Sequence, residues 1–178
     1  MLWYNMINLI LIGGVIMKAG VITVSDKGSQ GLRNDTSGPA ITEMLKGIGC
    51  EVTEYIIIPD EKETISRELI RLCDELDLDL IFTTGGTGFS KRDVTPEATL
   101  AVIEKQIPGI PEAMRYKSLQ ITPMAMLSRA VSGIRKNSII INLPGSSKAV
   151  RENLEVILPV LKHAVGTLRG IDVECGAK

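Results

Sequence analysis

Residues 81–96, IFTTGGTGFSKRDVTP, set Gly85, Gly86 and Gly88, the basic pair Lys91 and Arg92, and the carboxylate Asp93 between an apolar run and a helix start. Closely spaced glycines leave backbone N–H groups uncovered, and such groups can line an anion-sized concavity. Phosphate binding is therefore the chemistry to test. A P-loop requires Gly-x-x-x-x-Gly-Lys-Ser/Thr. Counting from Gly85, Ser90 stands where the second glycine belongs and Arg92 follows Lys91, so no hydroxyl is placed for magnesium. The dinucleotide fingerprint Gly-x-Gly-x-x-Gly fails as well, because Lys91 takes the place of the third glycine after Gly86 and Gly88. Two readings remain open for the glycines alone: an anion cradle, or a turn that needs positive φ.

These residues must be held by regular elements, and from Ala19 onward the chain alternates strand and helix signals. Short apolar or β-rich runs occur at residues 19–25, 51–58 and 79–84. Helical segments lie between them, at Ser37 to Gly47 and at Glu61 to Leu76, where Ile65, Leu69, Leu72 and Leu76 mark one face. Thr95-Pro96 gives an N-cap and a proline at the first helical position, with helices expected to about Leu119. Residues 129–135 and 138–143 read as a strand pair, and a closing helix from Ser147 to Leu168 is expected to be interrupted or kinked at Pro159. Such alternation predicts an α/β fold of three layers, α/β/α, around a mostly parallel sheet.

Ligands bind outside the carboxyl ends of the strands in such a sheet. Four loops are thereby singled out, starting at Ser25-Asp26, at Pro59-Asp60, at Gly85 and at Leu143-Pro144-Gly145-Ser146. The last of them, NLPGSSK, again joins an apolar strand to a helix start, with backbone donors and Lys148 available to an anion. Two glycine-containing anion loops at one sheet edge suggest a substrate with two phosphorylated parts.

Composition limits the alternatives. A chain of 178 residues with 44% hydrophobic and 23% charged content suits one well-filled domain. A net charge of −1 gives no general attraction to nucleic acid or to an anionic membrane, so neither is expected as a partner. Cys50, Cys73 and Cys175 are odd in number and far apart, which suggests a reducing cytoplasm rather than a disulfide framework. The one histidine, His163, sits in an apolar helical stretch and argues against Ser-His-Asp catalysis or a His-rich metal site. Residues 1–18 read as an apolar N-terminal extension, a poor signal peptide and too short for a membrane span, with Met17 or Lys18 opening the core. One domain is expected over 19–170, and a C-terminal tail over 171–178.

Four segments together carry a family resemblance: TTGGTGFSKRDVTPEAT from Thr83, IPDE from Ile58, PEAMR from Pro111, and LSRAVSGIRKNSIIINLPGSSKAV from Leu127. With these segments the chain resembles the molybdopterin adenylyltransferase family of MogA/MoaB type, related to the gephyrin G domain, over about residues 19–170. The resemblance implies a molybdopterin-binding fold built as a homotrimer or a dimer of trimers, working with other enzymes of molybdenum cofactor biosynthesis. It implies transfer of AMP from ATP, with Mg2+, to the terminal phosphate of molybdopterin. A non-catalytic molybdopterin-binding or scaffolding protein of the same pathway is the alternative. Carried over by position, Asp60 and Asp93 become the catalytic and magnesium-binding carboxylates. Thr84, Gly85, Gly86, Thr87 and Gly88 wrap the nucleotide or pterin phosphate. Ser128, Arg129, Pro144, Gly145, Ser146 and Lys148 complete the pocket, and Ser25 and Asp26 form its far wall.

Plainer roles compete with these. Asp60 stands three residues before Glu63 and could serve as a helix cap. Asp35, before Thr36-Ser37-Gly38-Pro39, reads as part of a helix start. Arg129 could simply pair with a carboxylate, and Glu112 with Arg115 could form a weak surface ion pair on one helix.

Overall fold

The computed structural model describes residues 16–171; the expectations for residues 1–15 and 172–178 lie outside them. In chain order the elements are β1 (Met17–Val24), α1 (Asp26–Ser29), α2 (Ser37–Lys46), β2 (Cys50–Ile58), α3 (Lys62–Asp74) and β3 (Leu80–Thr84). They continue with α4 (Thr95–Leu100), β4 (Lys105–Gln106), α5 (Gly109–Leu119), a 3-10 helix (Pro123–Leu127), β5 (Ser132–Arg135), β6 (Ser138–Leu143) and α6 (Ser147–Leu168). The strands form one six-stranded sheet in the order β2-β1-β3-β6-β5-β4. The pairs β1/β2, β1/β3 and β3/β6 are parallel, whereas β5 runs antiparallel to both β6 and β4. This is the mostly parallel α/β sheet expected.

The strand sequences follow from their place in the sheet. β3 (LIFTT) and β6 (SIIINL) are buried at every position, as strands covered on both faces must be, while the edge strand β2 alternates more and less exposed residues over most of its length. Alternate side chains feed two cores. On one face Val21, Leu80, Phe82, Ile139 and Ile141 pack with Ile41 and Leu45 of α2 and Leu154, Ile157 and Leu161 of α6. On the other Ile22, Ile81 and Ile140 pack with Ile65, Leu69 and Leu72 of α3 and with Ala98 of α4. The parallel pairings Ile81 with Ile140 and Phe82 with Ile141 hold this alternation in register.

β1 begins at Met17, one of the two residues expected to open the core, itself 4% exposed and paired with Cys50. Several other local expectations are corrected. The helices expected after Thr95 are two, α4 and α5, separated by the exposed two-residue strand β4 that pairs with β5. Arg129 lies before β5, not in it. The closing helix is one uninterrupted α6 with Pro159 inside it. Pro159 and Glu155, whose carbonyl loses its helical partner, are both exposed, so water can serve that carbonyl.

β1 sends its chain to β2 on one side, and β2 returns by α3 to β3 on the other. The strand order therefore reverses at β1 and β3, and a crevice opens where their carboxyl ends diverge. The functional candidates collect there.

Candidate active site

The loops after β1, β2, β3 and β6 converge on a cleft of about 300 Å3 lined by Ser25, Asp60, Thr84, Gly85, Gly86, Asp93, Gly145 and Ser146 among others. A second cavity of about 270 Å3 takes Thr87, Gly88, Ser128 and Pro144, together with Met114, Arg115, Met124 and Leu127. Twelve of the fifteen residues singled out from sequence thus line one cavity or the other. Asp26, Arg129 and Lys148 line neither.

The glycine loop is held from beneath by a buried polar chain. Asn142, fully buried in β6, donates from Nδ2 to the hydroxyls of Thr83 and Thr99, each at 2.9 Å. The Thr99 hydroxyl donates to the Thr95 carbonyl, and the Thr95 hydroxyl donates to the Gly85 carbonyl, both at 2.9 Å. Thr95 is therefore the first residue of α4 and an anchor for the loop; Val94, not Thr95, occupies the cap position. Beside it, the Thr84 hydroxyl donates to the Pro144 carbonyl at 2.7 Å, which joins the two glycine loops.

Arg129 holds the loop from the side. Its guanidinium donates to the Gly88 carbonyl at 2.7 Å and the Asp93 carbonyl at 2.6 Å, and pairs with Glu97. The carboxylate pairing read from sequence is present, but two main-chain bonds make the residue a clamp across residues 88–93.

Asp60 is not a helix cap: Glu61 holds the cap position of α3, without a side-chain bond. Asp60 and Asp26 instead exchange hydrogen bonds, Asp26 N–H to Asp60 Oδ2 at 2.8 Å and Asp60 N–H to Asp26 Oδ1 at 3.0 Å. Arg92 grips Asp26 with two bonds, at 3.0 and 2.8 Å. That grip, with the Asp60 amide, keeps the Asp26 carboxyl below its ordinary range. Asp60 moves the other way. Desolvation raises its carboxyl most, and the charges of Asp26 and Asp93 raise it further against the Asp26 amide and Arg92.

Asp93 is fixed by accepting the Ser90 N–H at 2.8 Å. A Cβ on Gly88 would come within 2.9 Å of its Oδ2, and one on Gly86 within 3.2 Å of Asp60 Oδ1, so bare glycines make room for both carboxylates. Among the described residues no three His, Cys, Asp or Glu side chains gather as a ready metal site. Two neighbouring hard-oxygen ligands, one with its charge disfavoured by burial and by like charges, nevertheless fit magnesium, which is commonly held by one or two carboxylates plus substrate phosphates.

The largest omission of the sequence reading is the segment Arg33–Ser37, every residue of which lines the first cleft. Asp35 does support the start of α2, accepting from Ser37 N–H at 2.8 Å and Gly38 N–H at 3.1 Å. It also accepts from the hydroxyls of Thr23 at 2.5 Å and Tyr55 at 2.6 Å. Burial alone would raise the Asp35 carboxyl, but these donors outweigh it and hold it below the usual range. Tyr55 is pushed up to about 12 by desolvation and by Asp35. The available signal was the largely polar run that starts at Ser25, directly after β1, and continues past α1 to Ser37, since strand-end segments carry the ligand in this architecture. In the second cavity Arg115 donates to the Ala130 carbonyl at 3.0 Å, a tertiary tie in place of the expected helix-surface pair.

Residues 20–163 match the family described as "Probable molybdopterin binding domain". The chain belongs to that family. It is 46% identical over 153 residues to the molybdopterin adenylyltransferase of Helicobacter pylori strain 26695, covering 85% of this chain and 87% of the relative. It is 44% identical over 141 residues to the molybdopterin adenylyltransferase of Escherichia coli K12, covering 78% and 72%. Among solved structures, the molybdopterin biosynthesis enzyme MoaB of Thermus thermophilus superposes with a TM-score of 0.82 at 49% identity, over 86% of this chain and 97% of that one. The cleft and second cavity are thus features of a molybdopterin-binding domain.

Proposed function

We infer that the protein is a molybdopterin adenylyltransferase of molybdenum cofactor biosynthesis. One observation carries the reading: two glycine loops and the carboxylates Asp60 and Asp93 meet at the switch point of a chain 46% identical to the H. pylori adenylyltransferase. An oxygen of the terminal phosphate of molybdopterin attacks the α-phosphorus of ATP; the new P–O bond forms as the bond to the β-phosphate breaks, and pyrophosphate leaves with the electron pair. Both reactants are anions, so the protein's task is to hold them together and in line. The amides of Gly86 and Gly145 offer donors to phosphate oxygens, while that of Gly85 donates to the Leu143 carbonyl at 3.4 Å, and Asp60 and Asp93 would hold Mg2+. Bound there, the ion supplies Lewis-acid stabilisation of charge on the transferring phosphates. The polar first cleft suits the nucleotide phosphates. The second cavity, where Met114, Met124 and Leu127 stand beside Thr87 and Ser128, suits a ring system with a polar edge.

Incubation with molybdopterin, ATP and magnesium, followed by chromatography, is expected to yield adenylylated molybdopterin and pyrophosphate in equal amounts. Tight molybdopterin binding with no product would instead make the protein a carrier of the same pathway.

Assembly is part of this reading. Tyr116, Leu119, Ile121, Met124, Met126 and Leu127 are exposed apolar residues between α5 and the end of the 3-10 helix, the kind of side chain that subunit contacts bury. Multi-angle light scattering is expected to give a trimer or a dimer of trimers, and a monomer at micromolar concentration would refute it. Cytoplasmic residence completes the proposal; Cys50 and Cys73 are free and buried, and among the described residues no helix is long and apolar enough to cross a membrane.

A further inference from the structure

A cleft that receives a nucleoside triphosphate needs positive charge as well as carboxylates, and the basic residues of its loops other than Arg33 are engaged elsewhere or, like Lys27, Lys91 and Lys148, line neither cavity. Arg92 is engaged by Asp26. Arg129 is engaged by Glu97 and by two carbonyls. Lys148, 82% exposed and 3.8 Å from Glu152, lies outside both cavities. Arg33 differs from all three. It is the one basic side chain lining the first cleft, and it has no hydrogen-bond or ion-pair partner among the described residues.

The segment that follows it is nonetheless anchored. Two residues on, Asp35 accepts from Thr23, Tyr55, Ser37 and Gly38, and the Ser37 hydroxyl donates to the Gly145 carbonyl of the second glycine loop at 2.9 Å. Four donors also occupy the Asp35 carboxylate, so it has little left with which to hold Arg33. The result is an unspent guanidinium on an anchored segment, in a cleft whose other charged lining groups, Asp35, Asp60 and Asp93, are all acidic. A planar guanidinium matches phosphate oxygens two at a time, and a fixed mount lowers the entropy lost on binding.

We propose that Arg33 binds the phosphate chain of the nucleoside triphosphate. The assignment rests on the adenylyl-transfer reading. It makes Arg33 a substrate-binding residue contributed by the loop between α1 and α2, separate from the carboxylates that act on the transferring phosphate.

Titration calorimetry on the full chain with ATP plus magnesium, and separately with adenosine, tests it. Arg33→Ala is expected to weaken ATP by about tenfold, the scale of one lost charge-assisted contact, and adenosine by less than about twofold. Arg33→Lys should fall between, because an ammonium restores charge without the two-pronged geometry. In the transfer assay KM for ATP should rise by the same factor while kcat at saturating ATP stays within about twofold, the pattern of binding lost equally from ground and transition states. Unchanged ATP affinity in Arg33→Ala overturns the proposal, as does equal weakening of ATP and adenosine, which would mark a distorted loop. If the unsubstituted protein binds no ATP, the adenylyl-transfer reading falls together with this one. Wild-type binding retained in full by Arg33→Ala removes only Arg33.

Discussion

Asp93→Asn is expected to lower adenylyl transfer by on the order of 10²-fold or more, roughly 3 kcal/mol of barrier, with the fold and molybdopterin binding retained. The structure makes this a clean substitution. Asp93 accepts the Ser90 N–H, and an amide oxygen of the same size can accept it too. Its main-chain carbonyl, not its side chain, receives Arg129, so the clamp on the loop survives. Only the charge of the carboxylate, which the proposed mechanism gives to magnesium, is removed. Asp60→Asn gives the companion result. Asparagine can still accept the Asp26 N–H, while the substitution removes a partly buried charge that Asp26 and Asp93 oppose. The sign follows from the raised carboxyl: a group that holds its proton more tightly when folded destabilises the fold once ionised. The melting temperature of Asp60→Asn at neutral pH should therefore be unchanged or higher while activity falls by a similar factor. Product formed at the wild-type rate by both variants would make the carboxylates structural and refute the mechanism.

Much of this site was legible in sequence because strand ends are legible. Continuous apolar runs such as LIFTT and SIIINL reveal buried parallel strands, and the residues just after them fall on the ligand-binding edge. What escaped depends on contacts distant in sequence. Asp35 looked like a helix starter because its two amide donors are local, whereas Tyr55, twenty positions on, and Thr23 show that it anchors a wall of the cleft. Arg129 showed no local sign of a clamp, since Gly88 and Asp93 lie 36 or more positions away. Leu76 fitted the apolar spacing of α3 but is 39% exposed, because the helix ends at Asp74 and Asp77, with φ 46°, turns the chain toward Leu78. β4 is two exposed residues and leaves no pattern to read.

The glycines of the opening loop left two readings, an anion cradle or a strained turn, and Gly85→Ala separates what each contributes. Gly85 has φ +98°, a conformation that costs an L residue about 1–3 kcal/mol. A Cβ there would also stand 2.3 Å from the Val24 carbonyl oxygen, which belongs to a buried central strand and cannot move aside. Adding an overpacking cost of about 1–3 kcal/mol, the variant should lose roughly 3 kcal/mol or more of stability. For a chain of this size that corresponds to a fall in Tm of about 6–12 °C. Gly145→Ala is the contrast. Its Cβ would meet only the Gly85 backbone, with the Cα at 3.3 Å, and its φ is not positive, so the fold should hold nearly unchanged while the gap between the two glycine loops is filled. Weakened ATP or molybdopterin binding in Gly145→Ala at near-native Tm would show that closeness of the loops serves the ligand. An unchanged Tm in Gly85→Ala would mean that the loop relaxes away from Val24, contradicting the tight β1 and β3 junction on which the cleft is built.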